Sequence, residues 1–134
     1  MTLNDRPVTV RIIHSDHSLT VRADLSAEDA ADIVRNLEGE ADVTVTISPE
    51  GIDEKLMVGI DYAWAFLGLE RPLDGVFQYV ADVDECLGTQ PFTIGGQEVD
   101  MESRYVSPVA VAADVIKEWI SEGENSSPGY WERQ

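Results

Sequence analysis

The sequence predicts an α+β fold, with a single mainly antiparallel β-sheet and two principal helices packed on it. Three observations carry this expectation. Short β-branched, alternating runs follow one another at hairpin distance through most of the chain. Two segments repeat instead at helical spacing. Strands adjacent in sequence outnumber those separated by a helix, which favours antiparallel pairing with helices on one face. The 134 residues are expected to form one domain over 1–134, a size that buries about two-thirds of the surface the unfolded chain exposes.

The elements follow in order. Val8, Val10 and Ile12 alternate with Thr9 and Arg11, the pattern of a half-buried strand. His14–Ser18 reads as a turn, and Leu19–Ala23 returns as a second short strand. Ser26 is placed to cap a helix, with Glu28 and Asp29 in its first turn, where carboxylates favour the helix dipole. Ala27, Ala30, Val34 and Leu37 form its apolar stripe and Gly39 its stop. Val43–Ile47 is again strand-like, and Ser48-Pro49-Glu50-Gly51 marks a turn.

Leu56–Leu69 is nearly all apolar and predicts either one long bent strand or two strands at the sheet centre, with Gly59 and Gly68 as bulge or bend positions. Tyr62, Trp64 and Phe66 share one face of it, a pattern read first as core and otherwise as a contact patch. After an Asp74-Gly75 hairpin signal, Val76–Ala81 resumes as a strand. Asp82–Gln90 is an acidic loop, and Gly95-Gly96 interrupts Phe92–Met101 as a second hairpin or bulge signal. Ser107-Pro108 predicts the start of the last helix, with Val109, Ala112, Ala113, Ile116, Trp119 and Ile120 as its stripe. Gly123 ends it, and Tyr130–Gln134 adds a terminal strand.

Charge bounds the function. Twenty-six acidic residues against nine basic give a net charge of −17 and a pI near 4.1. Such a field repels nucleic acid and anionic membranes and speeds encounter with basic partners. No cluster of Lys and Arg could track phosphates, so direct nucleic-acid contact is not expected. Cys86 is the single cysteine, so no internal disulfide or Cys-rich zinc site is possible. The polar Met1–Asp5 segment has no signal-peptide character, no apolar run reaches transmembrane length, and the cytoplasm is the expected compartment.

Catalytic patterns are missing from the sequence. His14, Asp16 and His17 share one turn, which reads as solvated rather than as a metal site. Cys86 stands among carboxylates that blunt a thiolate. Asp82-Val83-Asp84-Glu85 lacks the glycine and the distant Glu of a calcium loop, and Gly95-Gly96 is not followed by the Lys of a phosphate loop. The expectation is a non-enzyme with no cofactor and no metal.

The chain from Leu56 onward resembles the Imm1 family of bacterial immunity proteins. The resemblance rests on Val58-Gly59-Ile60 and its hydrophobic hairpin, the Gln78-Tyr79-Val80 strand end, and Val106-Ser107-Pro108-Val109 opening a helix. That helix runs through Ala112-Ala113-Asp114-Val115-Ile116-Lys117-Glu118-Trp119, and Pro128–Gln134 supplies a terminal Trp-containing strand. The pattern covers about the last 80 residues, and Glu124-Asn125-Ser126-Ser127 stands where the family has an Arg-Pro segment.

The resemblance implies an immunity protein that neutralises a cognate polymorphic toxin of deaminase- or nuclease-like type. A toxin acting on nucleic acid presents a basic cleft, which an acidic inhibitor complements, expected as a monomer in a 1:1 complex. The expected contact residues are Asp82, Asp84 and Glu85, then Glu98, Asp100 and Glu102, with Tyr79 and Trp131 as anchors. Two other readings stand beside it. One is a non-catalytic acidic adaptor or nucleic-acid mimic, which would need carboxylates in rows where the sequence disperses them. The other is a ligand-binding protein or enzyme with a pocket lined by Tyr62, Trp64 and Tyr79.

Overall fold

Alternation of buried and solvent-facing residues dominates the strands, and it aligns them into one large sheet. A computed structural model describes residues 6–80, 88–122 and 130–134. Its strands are β1 (Val8–Ile13), β2 (Leu19–Leu25), β3 (Val43–Pro49), β4 (Lys55–Asp61), β5 (Trp64–Arg71), β6 (Gly75–Val80), β7 (Thr89–Ile94), β8 (Gln97–Glu102), β9 (Ser107–Pro108) and β10 (Tyr130–Arg133). The helices are α1 (Ala27–Asn36) and α2 (Val109–Glu122). Among the described residues the main sheet runs β10-β6-β5-β4-β3-β1-β2, with β9 attached to β5, and every pairing is antiparallel. The expected fold class is the observed one.

One face of this sheet and the two helices enclose the core. Val8, Val10, Val43, Val45, Ile47, Leu56, Val58, Ile60, Leu67 and Leu69 point into it and are fully buried. Each such side chain contributes about 1.5–3 kcal/mol of apolar burial. Ala30 and Ala31 of α1 and Ala112 and Ala113 of α2 are also buried, and small side chains let the packed helices approach closely. Across the rim, Arg35 reaches Asp114 at 2.8 Å and Lys117 reaches Glu28 at 2.5 Å. The lysine holds the Glu28 carboxyl below its usual range.

α1 starts where the sequence places it. The Ser26 hydroxyl accepts from the Asp29 N–H at 3.0 Å, and the Asp29 carboxylate accepts from the Ser26 N–H at 3.2 Å. These reciprocal bonds satisfy two donors at the helix start and lower the Asp29 pKa. α2 departs from expectation. Ser107 and Pro108 pair with Ala65 and Trp64 as a two-residue strand, Ser107 is buried, and the helix begins at Val109. Sheet pairing has displaced the cap.

Leu56–Leu69 resolves into two strands, and neither glycine is a bulge, since the β4–β5 register is continuous through both Gly59 and Gly68. Gly59 serves the other face of the sheet. A Cβ there would lie 2.2 Å from Cε1 of Phe66, its cross-strand partner, so only glycine leaves room for that ring. The pairing irregularity lies at the β2 edge instead, where Ala23 and Asp24 together oppose Thr9 and Asp24 adopts φ +59°.

Of the hairpin and bulge readings of Gly95-Gly96, the hairpin is the one that forms. β7 and β8 make a separate two-stranded ribbon lying against β4, on the face away from the helices. Phe92 of β7 is 1% exposed and meets Phe66 edge-on, with ring centroids 5.4 Å apart. Polar ties complete the attachment. The Thr93 N–H donates to Asp61 Oδ2 at 3.0 Å and the Gly96 N–H to Asp42 Oδ2 at 2.8 Å.

Candidate functional site

The expected contact residues separate into three groups. Asp82, Asp84 and Glu85 lie outside the described residues. Glu98, Asp100 and Glu102 alternate along β8 opposite Thr93, Pro91 and Thr89, while Val99 pairs with the buried Phe92. The three carboxylates therefore share the face of the hairpin turned away from the sheet, and all three are exposed. Alternate residues of a strand stand roughly 7 Å apart. These three of the chain's acidic residues therefore form a short row on one strand.

Tyr79 and Trp131 are brought together, Tyr79 in the core and Trp131 half-buried beside it. Tyr79 is 3% exposed and belongs to the core; Trp131 of β10 packs edge-on against it, centroids 5.2 Å apart. Strand parity explains this, because Tyr79 shares the helix-covered face with Leu67 and Leu69. In the free chain the pair fixes β10 onto β6. Trp64 lies on the opposite face, so Tyr62, Trp64 and Tyr79 do not line a common pocket.

A second constraint fixes β10. Arg104 Nη1 and Nη2 grip Glu132 Oε2 and Oε1 at 2.5 and 2.9 Å, and the Tyr105 hydroxyl donates to Glu132 Oε1 at 2.6 Å. The Arg104 guanidinium lies 4.4 Å from the Tyr105 ring centre, and its Nε reaches Glu102 at 3.2 Å. The hydrogen bond from Tyr105, then that from Arg104, holds the Glu132 carboxyl below its usual range; burial raises the Tyr105 hydroxyl. Glu102, at the end of the acidic row, is thus partly neutralised, whereas Glu98 and Asp100 have no cation partner among the described residues.

Exposed aromatic surface gathers instead at the two-residue turn between β4 and β5. Tyr62 is 62% exposed and Trp64 45%. Tyr62 adopts φ +59°, a conformation costing a non-glycine residue roughly 1–2 kcal/mol. Two backbone bonds hold it, from the Tyr62 N–H to the Glu40 carbonyl at 2.9 Å and from the Gly39 N–H to the Tyr62 carbonyl at 2.8 Å. The same end of the sheet carries Glu38, Glu40, Asp42 and Asp61, and His14 approaches Glu40 at 3.7 Å. Composition signalled the aromatics; their exposure required the face assignment.

Among the described residues no group of three or more His, Cys, Asp or Glu is arranged to hold a metal ion, and no helix is long and apolar enough to cross a membrane. His14 Nε2 lies 3.0 Å from the Thr20 hydroxyl, which ties the first turn to β2. An open depression of about 230 Å³ lies between the β3–β4 and β5–β6 turns, lined by Asp53, Glu54, Arg71, Pro72, Leu73 and Asp74. It sits at the end of β4 and β5 remote from Tyr62 and Trp64. The site can offer carboxylates and aromatic faces to a cationic surface. No protein-family model matches the chain, and no curated protein matches it.

Proposed function

We propose that this chain is a non-catalytic acidic inhibitor of the immunity type, which neutralises a cognate toxin domain in the cytoplasm by covering its basic, nucleic-acid-binding cleft. The observation carrying the reading is the outward row Glu98, Asp100 and Glu102 on a hairpin fixed to the sheet by Phe92, Asp42 and Asp61. A row anchored in this way meets a cationic cleft with little ordering cost, and the net charge of −17 accelerates the encounter. The resemblance of the second half to the Imm1 family supports the same reading.

The test is co-expression with the product of the neighbouring gene, followed by affinity capture at low and high salt. A 1:1 complex that abolishes that product's toxicity is expected, weakening as salt rises. In the complex, the double reversal Glu98→Lys/Asp100→Lys slows association about tenfold or more at low ionic strength. On-rates unchanged by the double reversal at low salt would remove the β8 row from the interface.

The spacing of that row also favours a second reading, an acidic mimic that occupies a nucleic-acid channel on some other protein. Competition decides between them. The mimic is displaced by duplex DNA from a partner that is harmless when expressed alone.

A further inference from the structure

We infer that, within the basic-partner reading above, the anchor point is the Tyr62–Trp64 turn, and that it receives arginine side chains from a cationic protein segment. Four aromatic side chains of this region, Tyr62, Trp64, Phe66 and Phe92, divide into two pairs. Phe66 and Phe92 cover each other, whereas Tyr62 and Trp64 keep most or nearly half of their surface in solvent. Isolated exposed apolar residues are ordinary on soluble proteins. Here Tyr62 lies in a tight turn and Trp64 opens the strand that follows it, and two backbone bonds pin Tyr62 to a neighbouring loop, so its ring is offered from a fixed base.

The surroundings define the chemistry of the occupant. The loop that pins Tyr62 contributes the exposed Glu38 and Glu40, and Asp61 is the cross-strand neighbour of Trp64 on the same face. No Lys or Arg of the described residues pairs with Glu38, Glu40, Asp42 or Asp61. The nearest cation in sequence, Arg35, is engaged by Asp32 and Asp114, and the weak basic group present is His14 beside Glu40. A guanidinium stacks on an aromatic face while its edge donates to carboxylates. Anionic ligands are repelled, and a neutral apolar segment would leave the carboxylates desolvated.

The experiment titrates the full-length, nitrogen-15-labelled protein with an arginine nonapeptide at low ionic strength, with a glutamate nonapeptide as control. Resonance shifts centred on residues 38–42 and 61–64, including the Trp64 indole N–H, are the expected result. Trp64→Ala should weaken the peptide about five- to tenfold while leaving the Trp119 and Trp131 indole signals in place.

Shifts confined to Glu98–Glu102, with Tyr62 and Trp64 unmoved, would overturn the anchor assignment and leave the acidic-inhibitor reading standing. Absence of binding anywhere on the surface would overturn both. A Trp64→Ala affinity equal to that of the parent chain would overturn the aromatic part of the anchor, even with shifts in the right place.

Discussion

Replacing Gly59 by alanine tests how the acidic hairpin is held. The new Cβ would meet Phe66 at 2.2, 2.8 and 3.0 Å from three ring carbons, so the ring must leave its place. Overpacking of this kind costs about 1–3 kcal/mol. Displacing Phe66 also weakens its edge contact with Phe92, worth about 0.5–1.5 kcal/mol. Removing glycine's freedom in the unfolded chain returns about 0.5–1 kcal/mol. The net expectation is a loss of about 2 kcal/mol, equivalent to roughly 1 M in the urea midpoint with the slope unchanged.

Equilibrium urea unfolding reads the loss directly, and amide exchange reports whether it concentrates in β7 and β8. Phe66→Leu in the Gly59→Ala background removes the obstructing ring. The two substitutions should therefore couple by about 1 kcal/mol or more, the double variant being less damaged than the sum of the singles. Gly59→Ala as stable as the parent, or strictly additive effects, would refute the assignment of Gly59 as the hollow for Phe66.

Three further outcomes follow from the geometry. Ser26→Ala removes a reciprocal cap and should lower stability by about 1 kcal/mol in thermal unfolding, with α1 amides exchanging faster. Tyr62→Asn relieves a left-handed conformation that asparagine tolerates, so the free protein should gain about 0.5–1 kcal/mol by denaturation while losing affinity for the arginine nonapeptide. Glu132→Gln should free β10, read as faster exchange at residues 131–133. Because the folded carboxyl titrates below the unfolded one, its contribution is complete above the ordinary carboxylate range near pH ~4.3 and disappears as pH falls through the lowered folded value. The difference between Glu132→Gln and the parent should accordingly vanish in acid.

Local chemistry was sufficient for much of this molecule. The alternation of Val43–Ile47, the Ser26 cap with Asp29 three residues on, the stripe from Val109 to Ile120, and the Gly95-Gly96 turn each specify their element through neighbours in the chain. Antiparallel pairing and helices on one face followed from the order of those elements. Net charge likewise belongs to composition, and with it a field that favours encounter with cationic groups.

Tertiary structure decided which side of the sheet each residue meets. Period-two alternation in β5 separates Trp64 and Phe66 from Ala65 and Leu67 but does not say which set the helices cover, and the answer turned the aromatics outward. The same parity buried Tyr79. Gly59 resembles a bulge in sequence, because its need for space comes from a ring on another strand. Tyr62 carries no turn signal of its own, since its left-handed backbone is held by Gly39 and Glu40. The carboxylates of β8 became an outward-facing row only when Phe92, Asp42 and Asp61 fixed which face of the hairpin looks out. The contacts that hold the hairpin join residues 26 to 54 positions apart, beyond the reach of local propensity, and they exist only once the sheet has closed.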